Sequence, residues 1–329
     1  MIPFRRQLLL ATLASSGLAL PGMAAAEAFP ARPITIIVPF SAGGGVDVMA
    51  RLLADKLRGS LGQPVVVENK PGASGMLGAL AVVRSPADGH TLLLGSAGET
   101  AIHPLVYRSR MQYTPERDLA PVTAIVHVPN VLVAAPDTPF QTFAEMLDYA
   151  RRNPGKLSYA TSGVGNPQHL NGELLEKMAG IHMVHVPYRG AAGQLVDVAG
   201  GAVDLTFVSM AAVGPFIKSG RVKPLAVTSA QRASFAPDIP AIAEHASTKA
   251  YRLDNWFGLF APAATPSTVV ERINTAVVEA LRSPDLAQRL RDQGGEPAPM
   301  SPQQFKAFIQ AESAQYARIV DFAKITAGQ

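Results

Sequence analysis

Apolar positions along the chain change period repeatedly, and the changes outline its elements. Residues 34–38, Ile-Thr-Ile-Ile-Val, form a short β-branched run suited to a buried strand. A glycine-rich stretch at 41–45 follows, and then Val48, Met49, Leu52, Leu53 and Leu57 recur at helical spacing. Residues 65–67 read as a second strand, 72–75 lead into a helix reaching about Val83, and 91–94 read as a third strand. The rhythm resumes with strands at 131–134, 157–160, 183–186 and 203–207, separated by helices at 143–152, 169–178 and 193–198. Segments 225–228 and 256–260 read as further strands, the second returning to the first half of the molecule with Trp256 packed in its core. From Ser267 onward the pattern is helical, with Pro284 and Pro302 placed to open new helices. This alternation predicts an α/β fold of mainly parallel sheets flanked by helices. The 329 residues are many for one doubly wound sheet, so two lobes are expected. No Ser/Gly or Pro-rich linker separates them, so the crossings between lobes should be short.

The first residues read as an address. Arg5 and Arg6 precede a mostly apolar run at 8–20, Pro21-Gly22 break it, and Ala24-Ala25-Ala26 supply the small residues of a cleavage site. A secretory signal peptide over residues 1–26 is predicted. Its apolar run falls short of the roughly 20 residues of a membrane span, and no later run is longer. The mature protein is expected to be exported, and periplasmic where there is an outer membrane.

Composition narrows the chemistry. Hydrophobic residues make up 48% and charged residues 16%, enough apolar material for real cores. The absence of cysteine removes a disulfide scaffold, a Cys-ligated metal, a thiol nucleophile and a lipoprotein anchor. The net charge of +4 comes with no basic run, which argues against nucleic acid as a partner. ATP and NAD are scarce outside the cytoplasm, which lowers any nucleotide reading of the glycine clusters.

Two loops carry the functional signal. Pro39-Phe40-Ser41-Ala42-Gly43-Gly44-Gly45-Val46-Asp47 follows the first strand and leads into a helix near Val46 or Asp47. Glycines let backbone N–H groups approach a ligand, and the helix N-terminus adds unpaired donors and partial positive charge, a combination that binds anions. Asp47 reads as a helix N-cap, a loop organiser, or both. Thr161-Ser162-Gly163-Val164-Gly165-Asn166-Pro167-Gln168-His169 repeats the logic after another strand. If it lies in the second lobe, the two loops face each other across a cleft. Gly95-Ser96-Ala97-Gly98 could line the floor. The Gly72–Gly78 cluster reads as a close-packing segment. Enzyme motifs fail: there is no G-x-S-x-G and no H-E-x-x-H. His182 and His185 lack an acid at ligand spacing, so no metal site is expected. His90, His103, His127 and His245 read as isolated structural residues.

In order along the chain stand Arg32-Pro33-Ile34-Thr35, Pro39 to Asp47, Leu61 to Asn69, Pro71-Gly72-Ala73, Asp88-Gly89-His90-Thr91 and Asn153-Pro154-Gly155-Lys156-Leu157. They are followed by His185-Val186-Pro187-Tyr188-Arg189-Gly190, Gly200 to Asp204, Ala226 to Ser229 and Trp256-Phe257-Gly258-Leu259. This series resembles the Bug family of periplasmic solute-binding proteins, the receptors of tripartite tricarboxylate transporters, over about residues 30–322. The resemblance implies a two-lobed type II periplasmic-binding-protein fold, with lobes of 27–127 plus 253–329 and of 128–252. It implies a monomer that captures a small organic carboxylate and delivers it to inner-membrane transporter subunits, with no catalysis and no cofactor. Carried onto matching positions, Ser41, Ala42, Gly43, Gly44 and Asp47 form the first carboxylate loop and Thr161, Ser162, Gly163, Asn166 and His169 fall in the second; Phe40, Ser96 and Ser209 complete the expected ligand-binding set. His169 is expected to support its loop rather than touch ligand. Val208 stands where many members carry a polar or acidic residue, and Ser209 could substitute. The alternatives are an orphan receptor serving a sensor kinase and a periplasmic hydrolase using Ser96 or Ser162.

Overall fold

The computed structural model describes residues 29–188 and 191–326. The predicted signal segment and the Arg189-Gly190 pair lie outside the described residues. In chain order the first part runs β1 (Ile34–Val38), α1 (Gly45–Leu61), β2 (Val65–Asn69), α2 (Met76–Val83), β3 (Thr91–Ser96), α3 (His103–Val106), α4 (Pro115–Asp118) and β4 (Leu119–Val128). A π-turn, Gly98–Ile102, joins β3 to α3. Next come β5 (Asn130–Ala134), α5 (Phe143–Arg152), β6 (Ser158–Thr161), α6 (Pro167–Ala179), β7 (Val184–Pro187), α7 (Ala191–Ala199), β8 (Leu205–Ser209), α8 (Met210–Lys218) and β9 (Lys223–Val227). The chain ends with β10 (Asn255–Pro262), α9 (Ser267–Arg282), α10 (Pro284–Asp292), β11 (Glu296–Pro297) and α11 (Pro302–Ala323).

These strands build two sheets, ordered β11-β4-β10-β3-β1-β2 and β7-β6-β8-β5-β9. The expected α/β fold of helix-flanked sheets is present, but each sheet is mixed rather than mainly parallel. β1, β2 and β3 pair in parallel, whereas β10 is antiparallel to both β3 and β4. In the second sheet β6 is parallel to β7 and β8, whereas β5 is antiparallel to β8 and β9. The cause is topological. Wound strands carry their loops at their C-terminal ends, and the two sheets turn those ends toward each other. β5 and β10 are the strands that enter from the opposite sheet, so each begins where its neighbours finish. The two crossings also hold one another: Asn130 N–H donates to Thr228 Oγ1 at 2.9 Å and Thr228 N–H to Asn130 O at 2.9 Å.

Local chemistry explains the helix limits. On α1, Val46, Met49, Ala50, Leu53, Ala54, Leu57 and Leu61 are buried at three-to-four spacing, and Gly62 at φ 70° ends the helix in a left-handed turn. Thr142 with Glu145 and Ser301 with Gln304 form capping boxes on α5 and α11. Pro284 and Pro302 open α10 and α11 as the sequence predicts. β4 carries no sequence prediction although it has ten residues, because Pro121 breaks its pattern; that proline sits where the β4–β10 register shifts.

Each sheet is covered on both faces. In the first, one core gathers around α1 and α9 and the other around α11 and β10. Trp256 is fully buried in the second of these and donates Nε1–H to Tyr316 Oη at 3.1 Å, the packing role its sequence setting predicts. Val164 and Leu170, from the second glycine loop and α6, join this same core, so it spans both halves of the molecule.

Gly258, mid-strand on β10, lies directly against the Phe305 ring, and a Cβ there would overlap it. Gly258→Ala is expected to lower unfolding free energy by about 1–3 kcal/mol, as overpacking does. Denaturant titration checks this; an unchanged midpoint would mean the Phe305 ring moves freely.

Candidate functional site

Chain emerging from β1 turns through 39–44 and enters α1 at Gly45. Gly44 occupies the N-cap position in extended conformation, and no side chain caps the helix. The first-turn N–H groups of α1 therefore have no partner within the helix, and its dipole points positive at the same place. Asp47, expected near the cap, sits inside the first turn and is 3% exposed. Its carboxylate accepts from Gly43 N–H at 2.9 Å, Arg51 Nε at 3.0 Å and Asn69 Nδ2 at 2.9 Å. The Asn69 amide also donates to Phe40 O at 3.0 Å. Burial opposes the charge on Asp47, but these donors outweigh it and hold the carboxyl below its ordinary range. Asp47 thus shapes the loop from beneath. Ser41, Ala42 and Gly43 are exposed above it, with Phe40 and Gly44 half-buried.

The second loop is built differently. Asn166 caps α6 by accepting from His169 N–H at 3.0 Å. Ser162 donates both its N–H and its hydroxyl to Gln168 Oε1, at 2.6 and 2.8 Å, while Asn166 Nδ2 donates to Ser162 Oγ at 2.9 Å. Gly163 N–H reaches Thr161 Oγ1 at 3.3 Å, and Gly165 N–H reaches His169 Nδ1 at 3.1 Å. This loop therefore consumes donors that the sequence reading left free for a ligand. His169 is buried and supports the loop, as expected of it. Its ring stacks on His185 with centroids 3.9 Å apart, and His185 Nε2 lies 2.6 Å from Thr161 Oγ1. Burial, followed by the neighbouring His169, brings the His185 ring down to about 3. His182 points elsewhere, to Glu176 at 3.2 Å, so the two histidines do not converge.

The ends of both sheets meet around these loops. Ser209 Oγ, at the end of β8, lies 3.3 Å from where a Cβ on Gly45 would stand. A Cβ on Gly163 would lie 3.2 Å from Ser74 Oγ. The turn containing Ser74, read in the sequence as a packing segment, is thus part of the cleft wall. Its residues Gly72, Ala73, Ser74 and Gly75 all have positive φ, at 130°, 47°, 52° and 93°. Two of these are not glycine, and backbone so strained is concentrated at functional sites. Close packing falls to Gly78, whose Cβ would come 2.6 Å from Pro39 Cα. Behind the second loop, Tyr107 Oη donates to Val164 O at 3.0 Å, so that loop rests on α3.

Ser96, read in the sequence as a candidate for the floor, is buried at the end of β3 with 4% exposure. It donates its hydroxyl to Glu99 Oε2 at 2.6 Å, and its N–H goes to the other oxygen of the same carboxylate. Glu99 is fully buried, and burial pushes its carboxyl up to about 7 against the Ser96 bonds. No sequence motif singles out Glu99; the available signal is an acid three residues after a candidate serine. Neither Ser96 nor Ser162 is bonded to a histidine, so the nucleophile–base pair of a serine hydrolase is not assembled. His103, read as isolated, is fully buried on α3 and packs edge-on to Tyr107 at 5.3 Å. Burial alone brings its ring down to about 4.

Strand ends of the two sheets thus bring the two glycine loops and the 72–75 turn close together. A profile described as the tripartite tricarboxylate transporter family receptor matches residues 49–325. This chain belongs to that family. Protein BugT of Bordetella pertussis is 36% identical over 308 residues, covering 94% of each chain. A UPF0065 protein of Pseudomonas sp. strain P51 is 37% identical over 303 residues, 92% of this chain and 90% of the relative. Among solved structures, R. palustris Rpa4515 with adipate is 38% identical with a TM-score of 0.86, covering 91% of this chain and 99% of that one. MatC of Rhodopseudomonas palustris with bound malate is 30% identical with a TM-score of 0.80, covering 89% of this chain and 100% of that one. The family and these solved relatives are periplasmic solute-binding receptors, not enzymes. No helix among the described residues is long and apolar enough to cross a membrane.

Two neutral imidazoles buried in this receptor set an acid limit. His103 titrates near 6.5 when unfolded and near 4 when folded, so between these values the unfolded chain binds the extra proton and stability falls as pH falls. From pH 7 to pH 4.5 this histidine should cost about 2–3 kcal/mol. Unfolding titrations across that range should show this loss as a falling stability of wild type relative to His103→Leu. An equal slope in the variant would mean the ring is accessible to protons in the folded state.

Proposed function

We propose that this receptor is exported by cleavage of residues 1–26 and works in the periplasm as a monomer. It closes lobes 27–127 plus 253–329 and 128–252 on a small organic carboxylate, then delivers it to the inner-membrane subunits of a tripartite tricarboxylate transporter. The observation that carries this reading is the uncapped N-terminus of α1, which opens beneath Ser41 to Gly44 and beside Ser209 of the other sheet. Carboxylate oxygens are suited to such a cluster of backbone N–H donors. Among the described residues, no lysine or arginine is bonded to a loop backbone group or hydroxyl; Arg51 is turned to the carboxylate of Asp47 and to Asn69. The acids named with two similar structures, adipate and malate, agree in chemical class.

In this reading Ser41, Ala42, Gly43 and Gly44 hold the carboxylate from one side, with Phe40 as an apolar wall. Thr161, Ser162, Gly163 and Ser209 close from the other. Asp47, Asn166 and His169 hold the loops in shape without touching the ligand. Ligand favours the closed state through contacts that exist only when both loops engage it.

A thermal-shift series with adipate, malate, citrate, benzoate, amino acids and neutral sugars tests the class. One set of carboxylates should raise the melting temperature with concentration, reaching about 2.7 kcal/mol of added stability at a hundredfold excess over Kd. Gly44→Val should abolish that shift and leave the fold intact, because a Cβ there meets nothing closer than Ser41 O at 3.5 Å. A shift with neutral sugars alone would overturn the carboxylate reading, and wild-type affinity in Gly44→Val would show that the first loop is only a turn.

A further inference from the structure

Glu99 is the acid nearest the cleft that the loops do not explain. It lies on the π-turn after β3, with Oε2 3.2 Å from the Cβ position of Gly75 and Oε1 3.0 Å from that of Gly95. Phe40 Cζ stands 3.2 Å from the same Gly75 position. The carboxyl is therefore packed directly behind two walls of the cleft, the strained turn and the first loop. Its bonds go to Ser96, and no cation is among them.

Among the described residues, the surrounding elements bring nothing that would neutralise an anion here. β3 and α2 carry no ionisable side chain. Tyr113 donates its hydroxyl to the Glu99 carbonyl at 2.8 Å rather than to the carboxylate. His103 on α3 is held neutral by burial. Arg117 on α4 is bonded to Asp118 at 2.7 Å, and on α11 Glu312 accepts from Tyr316 at 2.8 Å. A buried carboxylate without a cation is costly enough that it takes a proton near neutral pH instead.

The proton decides what Ser96 can offer. With Glu99 ionised, the carboxylate is acceptor-only and draws both the N–H and the O–H of Ser96 inward. With Glu99 neutral, its own O–H can donate to Ser96 Oγ, and the serine hydroxyl turns outward. Ser96 sits at the end of β3 and is 4% exposed.

We propose that Glu99 is the specificity-determining residue of the cleft floor, and that the receptor takes up a proton there when it captures a carboxylate. The proton passes from solvent to Glu99 Oε2, the Glu99 O–H then bonds Ser96 Oγ, and the released Ser96 hydroxyl donates to the ligand. The same proton removes a buried negative charge that would repel an anionic solute. This inference rests on the carboxylate reading above. By linkage, an anion that binds better to the protonated receptor must itself raise the affinity of Glu99 for the proton.

Calorimetric titration of the mature protein with adipate and with malate, in buffers of different ionisation enthalpy, tests this. At pH 7 the observed heat should depend on the buffer in the sense of fractional proton uptake. Kd should weaken by about tenfold or more from pH 6 to pH 8.5, as the competent protonated fraction falls. Glu99→Gln, which keeps the shape and cannot ionise, should bind with flat pH dependence and no uptake. Ser96→Ala should lose affinity at pH 6. Without ligand, the stability of wild type relative to Glu99→Gln should fall as pH rises from 4.5 to 7, because the folded carboxyl holds its proton longer than the unfolded one. Binding with a flat wild-type Kd and no buffer dependence would overturn the proposal, a result that needs no variant to fold. Uptake surviving in Glu99→Gln would also overturn it. Binding of neither acid at either pH would instead overturn the carboxylate reading, and this inference with it.

Discussion

The buried carboxylate of Asp47 is the interaction on which the first loop depends. Backbone N–H groups bind an anion only if they are already aimed, because a flexible loop would lose conformational entropy on binding. Asp47 supplies that order by joining Gly43, Arg51 and Asn69 at one point, and Asn69 extends the hold to Phe40. The first loop, the first turns of α1 and the end of β2 are thus tied together around one buried side chain. The second loop follows the same rule with other residues: Gln168, Asn166 and His169 each take a backbone N–H from inside. The surface offered to a ligand is backbone and small side chains, and the order behind it comes from polar groups underneath.

Topology places these loops face to face. Because every wound strand carries its loop at the C-terminal end, two sheets joined at those ends present all their loops to one cleft. The strands that cross between sheets must then start at the cleft and run antiparallel, as β5 and β10 do. The crossings lie side by side, joined through Asn130 and Thr228. The second loop also rests on α3 through Val164 and Tyr107, so its position is coupled to the first half even away from the hinge. If the halves close on a ligand as proposed, movement of the second half would shift a loop already in contact with the first.

Much of this was legible in the residues. The β-branched runs, the helical stripes, and Pro284 and Pro302 at helix starts each have a local cause that reads directly from sequence. β4 was not legible, because Pro121 masks a strand whose register shift accommodates it. The mixed character of the sheets was not legible either, since strand direction depends on which strand enters from the other half. The left-handed turn at 72–75 looks like a packing segment because two of its four residues are not glycine, and only the tertiary setting forces Ala73 and Ser74 into positive φ. Donors in the second loop seemed free because their partner Gln168 sits six residues along, on the next helix. Glu99 shows no pattern at all: three residues from Ser96, it becomes meaningful only when the π-turn folds its carboxyl back onto that serine.

Recognition by backbone has a consequence for specificity. N–H groups at a helix terminus distinguish an anion from a neutral solute, but they distinguish one carboxylate from another poorly, because every carboxylate presents the same two oxygens. Discrimination must come from groups further along the cleft, whose chemistry differs from backbone. In the proposed site Phe40 would supply an apolar wall, and Ser96 and Ser209 would supply hydroxyls from the two sheets. Ser209 stands beside Gly45 at the mouth of α1, whereas Ser96 is tied to the one ionisable side chain packed directly behind the floor. A hydroxyl can donate or accept, and its partner chooses which. The selectivity of the floor is therefore set by whatever Glu99 asks of Ser96, so a buried residue that no ligand touches can govern which ligand is held.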